Sequence, residues 1–178
     1  LVSQASHAVQ GYAVGWILVL TSGLHAAGVF AAASSIVQLA NPFVQGAGNA
    51  MTPLLSKRRA RGGTELLVSA TRKFTKLAGV AAIVYVATMW IAGPLTLRII
   101  YGDDYAGLAL VLLTLSLALA VAALALVPTK VISVMHYPHV NCGLNVLTML
   151  LTLSLSAWLA SLNGIQGAAT GLLIAASI

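Results

Sequence analysis

Between residues 1 and 56 the chain carries no lysine, arginine, aspartate or glutamate, and the same is true of residues 77–97, 105–129 and 131–178. A hydrocarbon core about 30 Å thick is crossed by roughly 20 apolar residues in a helix. A charge at its centre costs about 2.5–3.5 kcal/mol even on translocon insertion scales. Charge-free runs of this length therefore fit a bilayer and exclude an ordinary soluble domain. With 7% charged and 60% hydrophobic residues, the chain lacks the polar shell that roughly 25% charged residues give a soluble domain.

The charges that exist are clustered. Lys57, Arg58, Arg59, Arg61, Arg72, Lys73 and Lys76 crowd into one segment, and the net charge is +6. Because apolar runs flank them, the positive-inside bias accounts for these cations better than a nucleic-acid surface, which needs a reading element as well. With residues 57–76 on the cytoplasmic side, Arg98, Asp103 and Asp104 fall outside, and Lys130, His136 and His139 return inside. Arg98 is then the one lysine or arginine on the outer side. A single cysteine, Cys142, excludes a disulfide framework within the chain. The first residue is leucine, no charged segment precedes the first apolar run, and the last residues stop inside another. These ends are expected for a piece of a longer membrane protein.

Turn and breaker residues divide the sequence into six expected helices, at about residues 4–21, 26–55, 66–97, 106–133, 140–160 and 165–178. Ser22-Gly23, Arg61-Gly62-Gly63, Tyr101-Gly102-Asp103-Asp104 and Asn163-Gly164 separate them, and Gly93-Pro94 interrupts the third. The apolar runs lack the two-residue alternation of a barrel strand. The expected architecture is an all-α, six-helix transmembrane bundle forming one lobe, residues 1–178. Gly11/Gly15 and Gly167/Gly171 have the small-xxx-small spacing of closely approaching helices.

The second helix carries the polar signal. Ser34, Gln38, Asn41, Gln45 and Asn49 recur every three or four residues and would share one helix face. Amides facing lipid forfeit hydrogen bonds to water, so this face is expected to meet protein or a wet cavity. Interhelical hydrogen bonding is the simpler role, and a substrate cavity is the functional one. Pro42, Gly46, Gly48 and Pro53 weaken the same helix and are candidate hinge positions. Gln10, Asn145 and Asn141 are further polar residues in or near the spans. Lys130 either snorkels to the interface or meets an anionic substrate.

Signals for catalysis are missing. His7, His25, His136 and His139 lack metal-ligand spacing. No phosphate loop, nucleophile elbow or pair of intramembrane carboxylates occurs. The expectation is a non-enzyme without cofactor or metal.

Three stretches carry a family resemblance. Ala27-Gly-Val-Phe-Ala-Ala-Ala-Ser-Ser-Ile-Val37, followed by Leu39-Ala-Asn-Pro-Phe-Val-Gln-Gly-Ala-Gly-Asn-Ala-Met-Thr-Pro53 and Arg61-Gly-Gly63, resembles the second helix of a half-unit of polysaccharide exporters and O-antigen flippases. Arg98-Ile-Ile-Tyr-Gly-Asp-Asp-Tyr-Ala-Gly107 is similar to the outer turn after the family's third helix, and Gly164-Ile-Gln-Gly-Ala-Ala-Thr-Gly171 to the start of its sixth. The resemblance spans almost the whole chain as a pattern of small residues and breakers.

The family lies in the multidrug, oligosaccharidyl-lipid and polysaccharide exporter superfamily. Its members place two six-helix lobes around a central cavity. The resemblance implies that this chain is one lobe, the C-terminal one, and that a second lobe of the same protein completes it. It also implies alternating-access movement of a lipid-linked oligosaccharide across a bacterial inner membrane, with Gln38, Asn41, Gln45 and Asn49 in the cavity. One departure stands out: no lysine or arginine lies deep in a span to meet a lipid diphosphate, so either the other lobe supplies cations or the cargo differs. Other readings are a drug or cation exporter of the same superfamily, a membrane glycan polymerase or ligase, and a scaffold that transports nothing.

Overall fold

The computed structural model describes residues 2–102, 108–135 and 138–177, with the side chains of residues 2–12, 61–63 and 138–142 excluded. It contains four helical elements, α1 (Val2–Gln38), α2 (Asn41–Tyr101), α3 (Ala109–Val134) and α4 (Pro138–Ser177), and no strand among the described residues. Four stretches are long and apolar enough to cross a bilayer: Ala13–Gln38, Thr64–Tyr101, Ala109–Val134 and Gly143–Ser177. The protein is an all-α, multi-pass membrane protein.

The six expected helices are not found as six elements. The physical reason is that several breakers turn the chain without opening a loop. Gly23, at φ 85° and ψ 170°, is the one non-helical residue inside α1. At that φ a Cβ would clash with the backbone, so the turn selects glycine. Val14 and Leu18 before it share one buried cluster with Phe30, Ala33, Ile36 and Val37 after it. On a straight helix Val14 and Val37 would stand about 35 Å apart, so α1 folds back at Gly23. In α4, Asn163 and Gly164 leave helical geometry, with Gly164 at φ 56°. The would-be Cβ of Gly164 is 3.6 Å from Ser22 Oγ, so the two turns meet at one end of the bundle.

A straight α2 of 61 residues would be about 92 Å long. Yet Met51, Leu55, Leu67 and Ala70 join Val127 and Val134 of α3 in a second core cluster, with Phe74, Ala78, Val131 and Met135 packed against it. The α3 stretch from Val127 to Met135 covers about 12 Å, whereas Met51 to Ala78 on a straight helix would cover about 40 Å. The chain therefore reverses between Leu55 and Leu67, giving α2 two arms. The second arm runs antiparallel to α3, with Phe74 near Val131 at one end and Gly93 against Leu112 at the other.

Packing is tightest inside α4. A Cβ on Gly167 would stand 1.8 Å from the Leu159 carbonyl oxygen, and one on Gly171 would stand 2.7 Å from Ser156 Cα. Both neighbours are backbone and cannot rotate away. Helices in lipid gain little hydrophobic energy from meeting each other, so close backbone approach across small residues supplies dispersion contact instead. Gly15 of the other small-residue pair has nothing within 4 Å of its would-be Cβ, and Gly11 lies among the side chains not described. The same approach buries the Ser156 hydroxyl with no hydrogen-bond partner. Gly167→Ala is accordingly expected to separate the α4 arms and lower the thermal midpoint in detergent by the equivalent of about 2 kcal/mol or more. Ser156→Ala, which removes an unpaired buried hydroxyl, is expected to be neutral or stabilising by about 1 kcal/mol.

Candidate functional site

The polar stripe is not on one uninterrupted helix. Helix α1 ends at Gln38 and α2 begins at Asn41. Across the join the amides of Leu39 and Ala40 reach back three residues, to Ile36 at 3.2 Å and Val37 at 3.4 Å, in a tightened turn. Pro42 causes the break. It offers no N–H to the Gln38 carbonyl, and it sits in the first turn of α2, where a missing N–H costs least. The stripe is therefore split, with Ser34 and Gln38 on the α1 side and Asn41, Gln45 and Asn49 on the α2 side.

A break inside lipid leaves carbonyls that water cannot satisfy. Beside the break, the Val37 carbonyl, which accepts from the Ala40 amide at 3.4 Å, also accepts from the Tyr85 hydroxyl at 2.8 Å. That bond also sets the register between α1's end and α2's second arm. Carried to the break, it puts Asn41 level with about Ala81. Measured from Leu77, where the charge-free run of the second arm begins, Gln38 lies about 10 Å and Asn41 about 6 Å inside the apolar layer. Gln38, Gln45 and Asn49 are exposed on this chain, while Ser34 and Asn41 are half-buried.

The four hinge candidates differ. Pro42 sits at the break. Gly46 has nothing within 4 Å of its would-be Cβ, whereas a Cβ on Gly48 would stand 2.6 Å from Leu126 Cδ2 and 3.3 Å from Lys130 Cε. Gly48 is thus a packing glycine that lets Leu126 and the Lys130 stem cross the helix. Its contact brings Lys130 beside the arm that carries Gln45 and Asn49. Pro53 is exposed inside the first arm of α2.

Within the basic segment, Arg59 has a defined structural task. Its Nη1 donates to the Val134 carbonyl at the end of α3. A cation there satisfies a terminal carbonyl and complements the helix dipole. A cleft of about 450 Å³ beside this contact is lined by Thr52, Ser56, Arg59, Ala60, Ser133 and Val134. A second, of about 520 Å³, follows the outer face of residues 64–76 and is lined in part by Arg72, Lys73 and Lys76. Neither cleft is lined by a residue of the stripe. Lys57 and Arg58 are exposed. The side chain of Arg61 lies outside the described residues, as do Gln10, Asp103, Asp104, His136, His139, Asn141 and Cys142. Among the described residues no three His, Cys, Asp or Glu side chains come together as metal ligands.

Sequence reasoning missed a polar contact in the core. Gln166 Nε2 donates to Thr114 Oγ1 at 3.2 Å, joining α4 to α3, while the Thr114 hydroxyl donates to the Leu110 carbonyl at 2.7 Å. Thr152 and Ser156 are buried nearby in sequence on α4. Gln166 and Thr114 are 52 residues apart, and no local spacing in the sequence signals their contact.

No known family profile, characterised protein or solved structure matches the chain.

The Tyr85 hydroxyl makes the shorter of the two hydrogen bonds to the Val37 carbonyl. Tyr85→Phe keeps the ring and removes the donor, leaving the Val37 carbonyl without it. A loss of about 1–2 kcal/mol in thermal unfolding in lipid nanodiscs is expected, with no loss of membrane insertion. An unchanged midpoint would show that the Ala40 amide satisfies the carbonyl alone.

Proposed function

We propose that this protein is a transporter rather than an enzyme, and that the chain is one lobe of a flippase in a bacterial inner membrane. Its cargo on this reading is a lipid-linked oligosaccharide, a precursor of polysaccharide or lipopolysaccharide, moved by alternating access. A second lobe of the same protein would complete the cavity. The observation that carries the proposal is the exposed amide stripe of Gln38, Gln45 and Asn49 beside a proline-made helix break in an otherwise apolar bundle. Amides pair both donors and acceptors with sugar hydroxyls, and a broken helix bends at lower cost than an intact one.

Lys130 adds a supporting feature. Its position beside Gly48 puts a cation near the headgroup end of the stripe, where an anionic diphosphate would enter. The chain's three acids, Glu65, Asp103 and Asp104, lie outside its long charge-free runs. That distribution disfavours a drug or cation exporter coupled through an intramembrane carboxylate.

The test is export in a strain lacking its own flippase, expressing the full-length gene that contains this segment. Restored surface glycan is expected, with a reduction of about fivefold for each of Gln38→Leu and Gln45→Leu, the equivalent of about 1 kcal/mol per lost hydrogen bond. Pro42→Ala is expected to insert normally and to transport more slowly. Lack of rescue by a correctly inserted protein supplied with its glycan, or full activity in the Gln38→Leu/Gln45→Leu double variant, would contradict the proposal.

A further inference from the structure

The second arm of α2 has two opposite faces where it leaves the membrane. Leu67, Ala70, Phe74 and Ala78 point into the core cluster shared with α3. Arg72, Lys73 and Lys76 lie on the other side of the same helix turns, exposed, and line the 520 Å³ cleft with Thr64, Glu65, Val68 and Ser69. At 100° per residue the centres of these two faces are about 170° apart, so the cations look away from the protein and toward surrounding lipid.

Depth and continuity identify what meets them. The candidate span Thr64–Tyr101 has 38 residues, about 57 Å of helix against a hydrocarbon core of about 30 Å, so its charged end projects beyond the core. Counted from Leu77, Lys76 is about 1.5 Å, Lys73 about 6 Å and Arg72 about 7.5 Å outside the apolar run, within the headgroup layer of about 5–7.5 Å per leaflet or at its edge. Below Lys76 the same helix face continues as Val80, Ile83 and Ile91, which are 61%, 71% and 78% exposed. A cationic cleft at phosphate depth above an exposed apolar track has the length and polarity of a phospholipid. A free phosphate would use the cations and leave the track unexplained.

We propose that Arg72, Lys73 and Lys76 form a binding site for the headgroup of an anionic glycerophospholipid, whose acyl chain lies along Val80, Ile83 and Ile91. Thr64 and Glu65 line the outer end of the same cleft; Glu65 lies about 10 Å beyond Arg72 along the helix, so the phosphate sits at the inner, cationic end. The site does not depend on what the protein transports.

The test uses the full-length protein in phosphatidylcholine nanodiscs with and without phosphatidylglycerol, reading retained lipid by native mass spectrometry. Wild type is expected to retain phosphatidylglycerol in preference to phosphatidylcholine. Each cation near an anionic surface contributes about fivefold, so Arg72→Gln/Lys73→Gln is expected to cut that preference about 25-fold. Lys57→Gln/Arg58→Gln removes the same charge at the level of residues 64–65, beyond the headgroups and more than a Debye length away, and is expected to change little. Equal loss in both variants would reduce the effect to diffuse charge and overturn the site. No preference in the wild type would overturn it without reference to any variant. Inorganic phosphate displacing the retained phosphatidylglycerol would also overturn it, because the acyl track would then contribute nothing.

Discussion

A backbone amide or carbonyl inside the bilayer has no water to turn to, and this governs where the chain can depart from a helix. The described residues are helical almost throughout, and the departures within the apolar runs occur at few places. Gly23 and Gly164 reverse direction in conformations that other residues rarely adopt. At the Pro42 break a tightened turn and the Tyr85 hydroxyl serve the Ile36 and Val37 carbonyls. The Arg59 guanidinium closes the end of α3 on the basic side. In each case either glycine removes the steric obstacle or a neighbouring group takes the hydrogen bond.

The same constraint gives the amide stripe its meaning. Gln38 and Asn41 lie within the apolar layer, and neither of the two clefts described above reaches them. Their amides need a partner, and water in a cavity, a carbohydrate or another part of the protein can each provide one. The break beside them makes this arm the most easily bent part of the bundle. The basic side has a division of labour: Arg59 faces inward to hold α3, and Arg72, Lys73 and Lys76 face outward at headgroup depth.

The membrane-spanning character and the all-helical class were legible in the charge-free runs, because a few kcal/mol per misplaced charge leaves few alternatives. The number of separate helices was not. Gly23 and Asn163-Gly164 mark turns in the sequence as plainly as a loop would, but sequence does not reveal that helical geometry resumes at once on both sides. Gly167 and Gly171 carried a generic packing signal, and their backbone neighbours, Leu159 and Ser156, emerge only once α4 folds back. The stripe was readable as a spacing, whereas its division at Leu39 and Ala40 depends on how Pro42 is accommodated. The contacts of Gln166 with Thr114 and of Lys130 with Gly48 join distant parts of the chain, and no local pattern announces them.

Water access to the stripe tests the central claim most directly. In a Cys142→Ser background, Gln38→Cys, Asn41→Cys and Gln45→Cys can be compared with Ile83→Cys and Ile91→Cys, exposed positions on the lipid track, for reaction with a water-soluble maleimide in native membranes. The stripe positions should react and the track positions should remain protected. Protection of all three stripe positions, in protein that inserts normally, would mean that the amides are packed against protein or lipid, and the cavity reading would fail.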